Sequence, residues 1–169
     1  MHGFDYVQDE MNNVIIYKPA TPGYENAPTV ILQGHMDMVC EKRPDVQHDF
    51  EKDGLNLSVK DGYVTANGTT LGGDDGIAVA YALALLDSTD LPHPALEVLI
   101  TVDEEIGLLG AVGLDCSVLK GKRMINMDSE AEGSLWISCA GGLSAVSHIP
   151  VARVDAEGEK LQIKVCGLM

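Results

Sequence analysis

Residues 96–105 read LEVLITVDEE, a near-continuous apolar run from Leu96 to Val102 that ends abruptly in acids. A run of that length and β-branched content fits a buried strand, of the kind found in a sheet covered by helices. Working outward, Thr29–Gln33 (TVILQ) and Asn13–Tyr17 (NVIIY, stopped by Pro19) are two further strand candidates, and Arg123–Met127 (RMINM) reads as another short buried strand. Asn56–Ala66 alternates on either side of Asp61-Gly62, the strongest short-range hairpin signal. Asp74–Leu86 (DDGIAVAYALALL) is rich in Ala and Leu, with acids where the positive end of a helix dipole favours them, and predicts a largely buried helix. Gly107–Leu114 can start a shorter one. Strands alternating with helices place the chain in the α/β class.

Composition narrows the partners. The 169 residues carry 11 Lys and Arg against 26 Asp and Glu, a net charge of −15. A protein that gains affinity by setting cations against phosphates cannot be built on that balance, so nucleic acid and anionic membrane are excluded as expected partners. The longest apolar run, Ile77–Leu86, is about half of what a bilayer crossing requires. The N-terminus lacks the basic and apolar regions of a secretory signal. Cys40, Cys116, Cys139 and Cys166 are scattered without a C-x-x-C pair, which suits reduced thiols in the cytoplasm. From Leu135 onward the texture changes, with LWISCAGG, LSAVSHIPVARV and KLQIKVCGLM all strand-like. A domain boundary is therefore expected near residue 140, giving units 1–140 and 141–169.

Four groups of chemically capable residues sit directly after apolar strands or at the start of the helix. They are His35 with Asp37 after VILQG, Asp74-Asp75, Glu104-Glu105 after VLITV, and Asp128 after MINM. In open α/β sheets ligands bind beyond the carboxyl ends of the strands, so all four groups should converge on one crevice. Singly, each has a plainer explanation: an Asp after a strand commonly caps a helix or closes a turn, and a glutamate pair is commonly solvated. Jointly, one His among several carboxylates is a metal-binding composition. In His-x-Asp, the carboxylate of Asp37 can orient the His35 ring. Tandem glutamates allow one to hold a metal while the other takes a proton from water. The carboxylates exceed the needs of one ion, which favours a pair of metals about 3.5 to 4 Å apart.

The ordered set GHMDMVCEK, TTLGGDDGIAVA, DEEIGLLGA and NMDSE resembles the aminoacyl-histidine dipeptidases (Xaa-His dipeptidases, peptidase D), within the clan of two-metal aminopeptidases and deacylases. The resemblance covers essentially the whole chain. It implies an aminopeptidase-like α/β catalytic domain, a mixed sheet flanked by helices, over residues 1–140. Residues 141–169 would begin an inserted α/β lid that also makes dimer contacts, so a homodimer is implied. It implies two divalent ions, zinc first, with manganese or cobalt as alternatives, and small peptides, Xaa-His dipeptides among them, as substrates. His35 and Asp128 would hold one metal and Glu105 the other, with Asp74 bridging as the first acid after the Leu-Gly run; Asp37 would steady His35, and Glu104 would be the general base.

One feature of the family is missing. Its second metal-ligating His comes from the far C-terminal part of the catalytic domain, and neither His93 nor His148 matches that position. The chain is thus expected to be a truncated, N-terminal portion of a cytoplasmic metallodipeptidase, poorly active alone. Two alternatives stand beside this one: another member of the clan (tripeptidase, carboxypeptidase or N-acyl deacylase) and a non-catalytic divalent-cation binder. An EF-hand loop, a dinucleotide fingerprint and a Walker sequence are all absent, and two acids opening a helix would repel phosphate.

Overall fold

A computed structural model describes residues 3–129, 131–143, 145–152, 155, 157–159 and 161–164. The chain divides into two compact units, Met1–Glu132 and Gly133–Met169.

The first unit is a five-stranded mixed sheet with α1 (Gly73–Asp87) packed on it. Its strands are β1 (Asp5–Gln8), β2 (Val14–Lys18), β3 (Val30–His35), β6 (Leu96–Thr101) and β7 (Arg123–Asn126), in the spatial order β1-β2-β6-β3-β7. A separate hairpin, β4 (Leu57–Lys60) and β5 (Tyr63–Ala66), turns at Asp61-Gly62 as its alternation predicts. The central strand β6 runs antiparallel to β2 and parallel to β3, which in turn runs parallel to β7. Registers Val30↔Leu96 and His35↔Thr101 set the carboxyl ends of β3 and β6 side by side.

Every residue of β6 is buried. On one face Leu96, Val98 and Ile100 pack with Leu32 and with Ala82 and Leu86 of α1; on the other, Leu99 packs with Ile15 and Ile31. Glu97 is buried among them, and its carboxylate accepts the Lys120 and Gly121 amides at 2.9 to 3.1 Å. Lys18, at the end of β2, donates to the Leu85 and Ser88 carbonyls at 2.7 and 2.6 Å, closing the C-terminus of α1 with a cation as its dipole favours. Gly34 lets α1 approach β3: a Cβ there would lie 2.5 Å from the Ala78 Cβ.

The mixed sheet with a helix on it agrees with the expected α/β class, and several expectations about the elements are corrected. The helix is not largely buried. Asp75, Ala78, Ala82 and Leu86 form its one buried stripe, while Ile77, Tyr81 and Leu83 are exposed. Nor do the two acids lie in a regular first turn, since Asp74 (φ −88°, ψ 109°) and Asp75 (φ −113°, ψ 36°) precede the helical backbone. All four residues of β7 are exposed, because it is the edge strand with β3 as its one neighbour. Strand β1, DYVQ, was not anticipated, being fully exposed and lacking an apolar face. Beyond residue 132 the expected strands do not form among the described residues: Leu135, Ile137 and Leu143 are exposed, and the backbone has no ladder partner. Cys40, Cys116 and Cys139 are free and exposed, and Cys166 lies outside the described residues.

Candidate metal centre

The parallel strands β3, β6 and β7 deliver His35, Glu104-Glu105 and Asp128 to one end of the sheet, and the start of α1 brings Asp74 and Asp75 to the same place. The ladder continues one residue past each strand pair, with Met36 N–H donating to the Thr101 carbonyl and Met127 N–H to the Gln33 carbonyl, both at 3.0 Å. These bonds hold the site residues' backbone rigid up to the point where the side chains begin to matter.

His35, only 1% exposed, is the hub. Its Nδ1 lies 2.9 Å from the Asp37 carbonyl oxygen, so the Nδ1–H donates there and Nε2 is turned to the carboxylates, donating to them when protonated and free to be a ligand when not. Nε2 is 3.0 Å from Asp74 Oδ1 and 3.8 Å from Glu104 Oε2. The carboxylate of Asp37 sits 3.4 Å from Nδ1, yet its shorter contacts are elsewhere: Oδ1 accepts the Glu104 amide and Oδ2 the Glu105 amide, each at 3.1 Å. Asp37 thus links the His35 ring to the turn that carries both glutamates.

The adjacent aspartates do different work. Asp75 is 2% exposed, and its carboxylate accepts backbone N–H groups from His35 and Ala78, the second three residues on, as a helix-capping side chain does. Asp74, half exposed, faces His35 and shares a hydrogen bond with Asp128. Two sets of donor atoms lie mutually within 4.8 Å, His35–Asp75–Asp128 and His35–Glu104–Glu105. Sequence reasoning singled out His35, Asp37, Asp74, Glu104, Glu105 and Asp128 and passed over Asp75, which the fold places at ligand distance from His35 and Asp128.

The charges here are poorly compensated without a cation. Burial would lower the His35 pKa, but the hydrogen bonds to Asp74 and to the Asp37 carbonyl, with the charges of Asp128 and Glu104, outweigh it and hold the imidazolium above its ordinary range. Burial raises Asp75, and the charge of Asp128 adds to it. Glu104 is raised by burial, then by Asp128, Glu105 and Asp37, against the opposing pull of His35. Asp128 is raised by burial and by Asp74. Asp37 goes the other way: burial opposes it, but the Glu104 and Glu105 amides hold its carboxyl below the usual range. One imidazole ringed by oxygen donors that resist ionising together is a donor set that a divalent cation fits.

A pH dependence follows for the chain with divalent ions chelated. The stabilisation from protonated His35 is complete below an ordinary imidazole pKa of about 6.5 and is lost as pH rises through its raised value. Asp75, Glu104 and Asp128 hold protons to higher pH folded than unfolded, so their ionisation also weakens the fold as pH climbs. Asp37 contributes above the ordinary carboxyl range and fades only as pH falls through its lowered value. The melting temperature of the chelated chain should therefore fall from about pH 5 to about pH 8, and added divalent ion should recover most at the upper end. Scanning calorimetry showing a rise over that window would contradict this.

Comparison with known proteins places the chain in a family. Residues 31–136, more than half of the chain, match the family described as peptidase family M20/M25/M40. The chain is 44% identical over 168 residues, 98% of its length and 35% of the relative's, to the cytosol non-specific dipeptidase of Escherichia coli K12. The solved structure of the aminoacylhistidine dipeptidase from Vibrio alginolyticus superposes with a TM-score of 0.75 at 50% identity, over 78% of this chain and 27% of that one. The aminopeptidase PepT of Bacillus cereus superposes at 0.61 and 32% identity, over 77% and 35%. The chain spans about a third of the length of the curated relatives it matches.

Proposed function

The chain belongs to peptidase family M20/M25/M40, whose members are metal-dependent peptide hydrolases, and from that premise we propose that it carries the metal-binding half of a dipeptidase. The observation that carries this reading is the buried His35, set against carboxylates from three further segments at the carboxyl ends of parallel strands. His35 and Asp128 would hold one divalent ion and Glu105 the other, with Asp74 between them; Asp75 fixes the start of the helix that presents Asp74. When bound, such ions polarise the scissile carbonyl and make water acidic. The rest is the work of the chain. Asp37 sets the tautomer of His35 through its carbonyl and holds both glutamate amides with its carboxylate. Glu104, its carboxyl raised above the usual range by burial, takes the proton of the attacking water and can return it to the leaving amine.

The finer parts of the proposal are these. The ions are zinc, with manganese or cobalt able to replace it. The substrates are dipeptides, Xaa-His among them, in keeping with the names of the Escherichia and Vibrio relatives. Residues 141–169 open a lid domain, and the complete protein is a homodimer working in the cytoplasm. No helix among the described residues is long and apolar enough to cross a membrane.

Unequal metal binding is the expected signature. His35, Asp74 and Asp128 would hold the first ion, whereas the second keeps Asp74 and Glu105, so calorimetric titration of the chain with zinc or manganese should resolve one ion bound clearly more tightly than a second. Two equal sites, or none, would overturn the assignment. The activity itself is tested with Xaa-His dipeptides, in the protein extended to the length of its relatives, with and without a chelator.

A further inference from the structure

Glu104 and Glu105 sit on a contorted turn, Val102 to Gly110. Its backbone bonds run from the Leu109 amide to the Asp103 carbonyl and from the Gly110 amide to the Val102 carbonyl, at 3.0 and 3.1 Å. Asp103 (φ 53°) and Leu108 (φ 60°) are left-handed, a conformation that crowds the Cβ of an L-residue against its own backbone. A turn of this kind keeps one shape only where its surroundings over-determine it. On the side of the site, Asp37 supplies that restraint. On the other side, one residue that takes no part in the chemistry supplies it.

That residue is Asn13, completely buried ahead of β2. Its Oδ1 accepts the Val102 amide at 3.2 Å and its Nδ2 donates to the Gly110 carbonyl at 2.9 Å, so a single amide group ties the first residue of the turn to the last. The fit leaves no slack: a Cβ on Gly110 would lie 2.3 Å from the Val102 carbonyl oxygen and 2.6 Å from Asn13 Oδ1. Asn13 is itself locked by Asp9. The Asp9 carboxylate accepts Asn13 Nδ2 at 2.7 Å, the Asn13 amide at 2.8 Å and the Met11 amide at 2.9 Å. The β1–β2 tip is thus a fixed platform for the glutamate turn.

We infer that Asn13, fixed by Asp9, is the positioning residue that sets Glu104 and Glu105 at the metal centre. The inference rests on the proposed function and adds to it. Asn suits the position because the turn offers a donor and an acceptor a few ångströms apart, and only a short amide answers both; Asp cannot donate to Gly110, and an apolar isostere leaves two buried backbone groups unpaired. Asn13 belongs to neither candidate donor set and its side chain bonds to Asp9, Val102 and Gly110, so its effect must pass through the glutamate turn.

The test compares wild type, Asn13→Ala and Asp9→Ala in the protein extended to the length of its relatives. It measures the two zinc affinities by titration, kcat and KM on an Xaa-His dipeptide, and the melting temperature. Asn13→Ala should weaken the second, Glu105-held ion by about 10- to 100-fold, the usual effect of losing a partner that orients a ligand, while the tighter ion changes little. The loss in turnover should appear in kcat more than in KM. In the double variant Asn13→Ala/Glu104→Gln it should nearly vanish into the effect of Glu104→Gln, because both act through one group. Asp9→Ala, at a partly buried site that leaves Asn13 in place, should give a smaller change in the same direction and guards against Asn13→Ala failing to fold. If the folded variants melt lower but keep the ratio of the two affinities and kcat, Asn13 is only structural and the inference falls. A wild type that binds no ion would instead overturn the proposed function, and this inference with it.

Discussion

Glu104→Gln is expected to keep both metal ions and to lose about two to four orders of magnitude in turnover, the usual worth of a positioned general base. The amide keeps the shape of the side chain and leaves undisturbed the backbone amide that Asp37 holds at 3.1 Å. What it removes is basicity, in a carboxyl that burial and its acidic neighbours have tuned upward. Glu105→Gln should behave differently. It exchanges a charged ligand for a neutral one, so the second ion weakens first and activity follows; excess metal then restores part of the rate to Glu105→Gln and none to Glu104→Gln. Metal analysis beside steady-state kinetics, in the protein extended to the length of its relatives, separates the two. Metal lost from Glu104→Gln and kept by Glu105→Gln would mean that the pair is assigned backwards, and full activity in both would remove the hydrolytic mechanism.

His35→Ala should abolish tight binding of the first ion, an effect larger than the 10- to 100-fold expected from removing a group that merely orients a ligand. Nε2 stands 3.0 Å from Asp74, and the same ring belongs to both candidate donor sets. Without it, buried acids face one another with no nitrogen between them. Asp37→Asn is the informative companion. Its carbonyl, and with it the tautomer of His35, survives, but the new amide cannot accept both glutamate N–H groups, so this variant should fall within that smaller range and affect the glutamate-held ion most. Retention of tight zinc or manganese binding by His35→Ala in a calorimetric titration would remove His35 from the centre.

Much of this was readable in the sequence, for a local reason. β3 and β6 announce themselves as apolar runs, and His35, Glu104 and Glu105 stand out because chemistry begins where the apolar run stops. The β4–β5 hairpin was equally plain, since Asp61-Gly62 is itself the turn. What escaped notice depends on partners far along the chain. Asn13 meets Val102 and Gly110 across 89 and 97 residues, and in the sequence it reads only as the polar first residue of a strand candidate. Asp74 and Asp75 are chemically identical neighbours, and only their backbone angles send one toward His35 and the other beneath it. Apolar composition also cannot tell which faces find cover. The half-exposed α1, the bare β7 and the absence of strands among the described residues past 132 all come from runs that read as buried in isolation.

The exposed edge strand β7 bears on what a bound ion would do to the sheet. Asp128 comes one residue after Met127, which packs on the core, and two after β7, an exposed strand whose one ladder partner is β3. Elements of this kind sample open states at a small fraction of the free energy of global unfolding. An ion held between His35 and Asp128 would therefore bridge a central strand of the sheet and one of its edges. Binding an ion there would stabilise the docked position of that edge, so that occupancy and edge order become two readings of one equilibrium.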